Sequence, residues 1–138
     1  MSGFGRDRRL HHHVRGLLLA SRGDLAAATV AFRAAIYVPA SGFTRTNYER
    51  SRVLLRLDRA REAARRTDRG ARGTMDGSAT YTSVPEMPEL GAAAWEAAGE
   101  ADAARARREI VARAWRQAEP GFLAQRGRAG PREPEPAR

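Results

Sequence analysis

Apolar residues in this chain recur at spacings of three and four, the mark of helices with one buried face. The clearest stretch is HVRGLLLASRGDLAAATVAFRAAIYVP, from His13 to Pro39. In its second half, Leu25, Ala28, Phe32, Ala35 and Ile36 fall on one helical stripe. Leu10, Val14, Leu17 and Leu18 make a similar stripe in the first half, where Gly16 and Ala20 are small enough to let a second helix approach closely. Arg22-Gly23-Asp24 reads as the turn between them. Gly23 can take the positive φ that ends one helix, and Asp24 can accept from the free N–H groups that open the next. Pro39 stops the second helix, because the residue before a proline is pushed out of the α region. The pattern predicts a helical hairpin.

Two later stretches repeat it. Thr46 and Glu49 have the spacing of a capping box, which predicts a helix start at that point. The helix carries Tyr48, Ser51, Leu54, Leu55 and Leu57, then Asp58-Arg59 replaces the glycine turn. A second helix begins at Ala60. Ser51, Leu54 and Ala63 take the places of Gly16, Leu19 and Ala28, a period of 35 residues. This second helix is the weakest expected element, since Thr67 stands where Phe32 stood and Asp68, Gly70 and Gly73 are poor helix formers. Gly73–Tyr81 reads as a loop. Ser83 and Glu86, with Pro85 between them, predict the third start. Met87, Leu90, Gly91, Ala94, Trp95 and Ala98 follow, Gly99 ends that helix, and its partner spans Glu100–Ala118 with Ala104, Ile110, Val111, Ala114 and Trp115. Trp95, Gly99-Glu100 and Ala104 match Leu19, Gly23-Asp24 and Ala28 at an offset of 76. The expected fold is all-α, a short α-α superhelix of about three hairpins at roughly 10–39, 44–72 and 83–119. A basic leader at 1–9 precedes the repeat domain 10–119; an extension at 120–138 follows, with Phe122 and Leu123 packing back and a tail disordered by composition from about 127.

Gly16, Leu19, Gly23-Asp24, Ala28, Phe32, Ala35 and Pro39 stand at the spacings of a tetratricopeptide repeat, and the hairpins resemble that class. The proline falls one residue early and the large aromatic expected near His12 is absent. GFTRTNYERSRVLLRL, DRAREA and VARAWRQAEPGF make residues 10–123 similar to the C-terminal repeats of bacterial regulators that carry a kinase, cyclase or activator domain ahead of them. There a second Thr-Arg-Thr introduces the third hairpin; here Thr82-Ser83-Val84 stands in its place. The resemblance implies a scaffold that holds another protein or peptide, and no activity of its own.

Composition adds bounds. The formal net charge is +9, and all 25 basic residues are arginine. A lysine-free chain reflects a GC-rich coding sequence more than a binding function, and Val84–Ala104 carries five acids and no arginine, so a nucleic-acid face is not expected. There is no cysteine, hence no disulfide, thiolate metal site or cysteine nucleophile. Apolar runs such as Leu17–Ala20 are too short for a membrane span, and the expected location is cytoplasmic. His11, His12 and His13 point in three directions on a helix and cannot share a metal. Phosphate-binding glycine loops and HExxH are absent, and no spacing relates a nucleophile to a base, so neither catalysis nor a cofactor is expected.

What remains is a groove. In stacked hairpins the first helix of each lines the concave surface. That places Arg45, Tyr48, Arg52 and Arg56 on the inner face, with His13 and Leu17 from the first hairpin and Glu86, Glu89 and Glu96 from the third. Arginines flanking an aromatic suit a carboxylate or an acidic extended peptide. Arg45, Tyr48, Arg52, Arg56 and His13 are the candidate partner-binding residues. The alternatives are a regulatory fragment of a larger signalling or transcriptional protein, nonspecific nucleic-acid binding, and self-association through the apolar edge at Leu10–Leu18.

Overall fold

A computed structural model describes residues 9–37, 43–71 and 86–116. Six helices are present among them: α1 (Leu10–Ser21), α2 (Leu25–Ala35), α3 (Thr44–Arg56), α4 (Ala60–Gly70), α5 (Glu86–Ala97) and α6 (Ala101–Ala114). The fold is all-α, three hairpins in a stack. The leader before Arg9, the stop at Pro39, the loop 73–81, the Ser83–Pro85 start signal and everything after Arg116 lie outside the described residues.

The three turns within hairpins share one hydrogen-bond pattern. Gly23, Asp58 and Gly99 take φ values of +83, +59 and +79. The next N–H then reaches back to Leu19, Leu54 and Trp95 at 3.0, 2.9 and 2.9 Å, which satisfies a carbonyl left free at each helix end. Asp24 does cap α2, its carboxylate accepting from the Ala27 N–H at 3.1 Å. Asp58 holds the left-handed conformation with a Cβ to accommodate, which costs more than glycine in that conformation. Asp58→Gly is expected to raise the unfolding free energy by up to ~1 kcal/mol in urea denaturation, the cost partly offset by the freer unfolded glycine. A loss of stability would mean that the Asp58 side chain itself holds the turn.

The core lies where α2 meets α1 and α3, and where α4 meets α3 and α5. Phe32 and Ala28 pack on Val53, with Leu17, Leu19, Ala20, Leu25 and Leu57 around them. Leu54, Ala63, Ala64 and Ala94 form the second centre, backed by Leu55 and Trp95. The α4 helix, weak by propensity, is formed. It is held by small buried residues, Ala60, Ala63, Ala64, Thr67 and Gly70, which let α5 lie close. A Cβ on Gly70 would stand 2.8 Å from Met87 Cε, and one on Gly91 would stand 2.9 Å from Thr67 Oγ1. Arg107 clamps Asp68 with two hydrogen bonds of 3.1 and 2.7 Å, tying α6 to α4.

Three expectations need correction. The α3 helix starts at Thr44, not at a Thr46 cap. Phe43 precedes it in the left-handed region with φ +45, and its buried ring meets Tyr37 edge-on at 5.2 Å. Thr46 is therefore inside the first turn and buried. In α1 the buried face is His13 and Gly16, with Leu17 and Ala20 beside them, while Leu10, Val14 and Leu18 are 40, 55 and 48% exposed. The 35-residue register explains this, since Val14 and Leu18 correspond to Glu49 and Val53 on α3, a side packed by the preceding hairpin. The α6 helix ends at Ala114, short of Ala118, and Ile110 is exposed.

Candidate functional site

The stack is curved. The first helices of the hairpins approach one another, α3 touching both α1 and α5, whereas α2 and α4 have no Cα pair within 8 Å. The concave side is thus lined by α1, α3 and α5. On α3 successive residues turn by 100°, so Tyr48, Arg52, Arg45 and Arg56 share an arc of about 80°. The buried Asn47, Ser51 and Leu54 lie on another side, toward α4. Ser51 fixes that side, its single O–H shared between Asn47 O at 2.8 Å and Ala63 O at 3.2 Å.

Tyr48 is half-buried at one edge of the arc. Burial pushes its phenol up in pKa; Arg52 pulls it back, while Glu86, Glu49 and Glu89 add to the rise. The ring therefore lies within the field of acids from α5 as well as α3. The Arg52 guanidinium stands 5.9 Å from the Tyr48 ring centroid and 3.2 Å from a Glu49 carboxylate oxygen. Arg56 donates to the Ala20 carbonyl at 3.5 Å, across to the end of α1. The face is mixed in charge, with an aromatic platform between basic and acidic groups.

His13 does not join it. The ring is 2% exposed, packs on Phe32 with centroids 5.5 Å apart, and its Nδ1 is 3.1 Å from Thr46 Oγ1. It links α1 to α3 and is not offered to a partner, because the Thr46 hydroxyl supplies the hydrogen bond that lets the imidazole be buried. His11 and His12 lie outside the pair, and no three metal-ligating side chains come together among the described residues.

A second charged site was missed. Arg50 lies on the far side of α3 from Arg52, its side chain 7% exposed, at the junction of α2, α3 and α4. Glu62 receives Arg50 at 3.3 Å, lies 3.9 Å from Arg66, and also accepts from Arg59. Burial, then Arg66, push the Arg50 pKa down to about 10, with Arg33 and Arg59 acting in the same direction and Glu62 against them. Burial, then Arg69, lower that of Arg66 too. The helical wheel could have shown Arg50: it falls between Asn47 and Val53 on the buried side.

No protein-family model, curated protein or solved structure matches this chain. No helix among the described residues is long and apolar enough to cross a membrane.

Proposed function

We propose that the chain is a non-enzymatic interaction module of the tetratricopeptide-repeat type that holds an extended peptide segment along its concave face. The observation that carries this is the curvature, with α1, α3 and α5 turned inward and Tyr48 half-buried on α3, the middle of the three. An extended segment crossing α3 would stack an apolar or planar group on Tyr48. Its carboxylates would pair with Arg45 and Arg56, while Arg52 holds the ring and Glu49. The acids Glu86 and Glu89 set a direction, since they repel the acidic end of a peptide and favour a basic or neutral end over α5. The 35-residue spacing of the first two hairpin turns and the match of Gly16, Phe32 and Ala35 to the repeat pattern support the class.

The test is an array of extended peptides with an acidic end and a basic end in both orders, probed with the purified chain. Binders are expected to share one order, and both Tyr48→Ala and the combined Arg45→Ala, Arg52→Ala, Arg56→Ala variant should lose at least tenfold in affinity. Binding that survives the triple change, or that ignores charge order, would remove the concave face from consideration.

A further inference from the structure

The convex side carries a basic site of different character. The α2 and α4 helices have no Cα pair within 8 Å; on α3, Arg50 is buried, with Arg66, Arg33 and Arg59 near enough to push its pKa down. Among the described residues, the acid that bears on Arg50 and Arg66 is Glu62 alone. Three guanidinium groups, those of Arg50, Arg59 and Arg66, thus share one carboxylate. An open depression of about 380 Å³ lies over α4, lined by Arg61, Glu62, Arg65, Arg66 and Arg69. The Arg50 Nε is buried and has no hydrogen-bond partner among the described residues. Leaving a charged donor unmet in this way is costly, and guanidinium groups crowded at low solvation repel one another.

Other arginines of the molecule are handled differently. Arg107 is matched by Asp68, Arg61 by Glu100 at 2.6 Å, and Arg108 by Glu96. Arg50 differs from these three in being buried with an unbonded Nε, so overall basicity does not account for it.

We infer that the α2–α4 seam is a binding site for a phosphate-type oxyanion, held by Arg33, Arg66 and Arg69 above Arg50. A tetrahedral dianion offers several acceptor oxygens to forked donors and supplies the negative charge that Glu62 alone cannot. It binds on the outside of the stack, so it leaves the concave face free and is independent of any peptide held there. The phosphate can be a free oxyanion or one carried on a phosphorylated polypeptide.

The experiment is titration of the full chain with sodium phosphate at pH 7 by calorimetry and by thermal melting, against sodium chloride at equal ionic strength. Wild type is expected to show saturable one-to-one binding and a higher midpoint in phosphate. Arg33→Gln and Arg66→Gln, at side chains that are not fully buried, should each weaken binding by at least tenfold. Arg105→Gln removes the same charge from α6 and should leave it unchanged. Arg50→Met, checked for helicity, should bind no phosphate. Phosphate no better than chloride would overturn the site, and so would an Arg105→Gln loss equal to that of Arg66→Gln, which would mean diffuse charge. A phosphoserine peptide that displaces phosphate from wild type, and fails on Arg66→Gln, identifies a phosphorylated chain as the source. Phosphate binding without that displacement identifies a free oxyanion.

Discussion

Phe32→Ala is expected to cost about 3–5 kcal/mol of unfolding free energy, as large aromatic truncations in closed cores do. Phe32 has no exposed surface and sits where three helices meet. Its ring packs on Val53 of α3 and Ala28 of its own helix, lies against the backbone of α1 at Gly16, and faces the His13 imidazole. Removing it opens a cavity that Ala28 and Gly16 are too small to refill. It also removes a wall from around His13, whose ring nitrogen bonds Thr46. A domain of this size is stable by about 5–15 kcal/mol, so the variant should melt far earlier or lose its cooperative transition. Urea unfolding followed by circular dichroism measures it. A loss below about 1 kcal/mol would show that the first hairpin contributes little to the cooperative unit.

Gly16→Ala should be destabilising although alanine is the better helix former. On the helical backbone of α1, a Cβ at residue 16 would lie 2.6 Å from Cδ1 and Cε1 of Phe32 and 2.9 Å from its Cγ. These are ring atoms of a fully enclosed side chain, so they cannot swing aside. Overpacking of this kind costs about 1–3 kcal/mol, against a gain of roughly 1 kcal/mol from helix propensity. The net expectation is a loss of up to about 2 kcal/mol. The two changes should not add. With Phe32 already alanine, the ring is gone and Gly16→Ala should become neutral or stabilising by up to ~1 kcal/mol. A double-mutant cycle from four denaturation curves reads the coupling directly. Additive losses would mean that helix 1 does not rest on the Phe32 ring.

Much of this architecture was legible in the residues. Gly23, Asp58 and Gly99 mark the three turns because the left-handed position has few tenants, and Leu19, Leu54 and Trp95 follow from them by register. The failures have a common source, which is that tertiary contact chooses between local alternatives. On α1 two stripes compete, one of Leu10, Val14 and Leu18, the other of His13, Gly16 and Leu17. Apolar content favours the first. The second is buried because only a glycine admits the Phe32 ring and only a hydroxyl at Thr46 satisfies the histidine. Thr46 and Glu49 look like a capping box, but Phe43 opens the helix three residues earlier, in a backbone conformation that phenylalanine seldom adopts. The α4 helix was undervalued because propensity counts Gly70 and Thr67 as losses, whereas the approach of Met87 and Gly91 turns their small size into contact. Of the candidate face, the strip on α3 followed from period alone. His13 does not belong to it, and Arg50 on the opposite side is buried, where an arginine is not expected from its charge.

Each helix touches only helices within two places of it along the chain. This has a consequence for how the molecule is made. Among the described residues no helix waits for one more than two places away, so the loop-closure entropy of folding is low and the search is fast. A hairpin leaving the ribosome can close its own turn, dock on the one before it and stop, with nothing to undo when the next emerges. Assembly therefore follows synthesis in order, and the open side of α1 is already formed while the rest of the chain is still being translated.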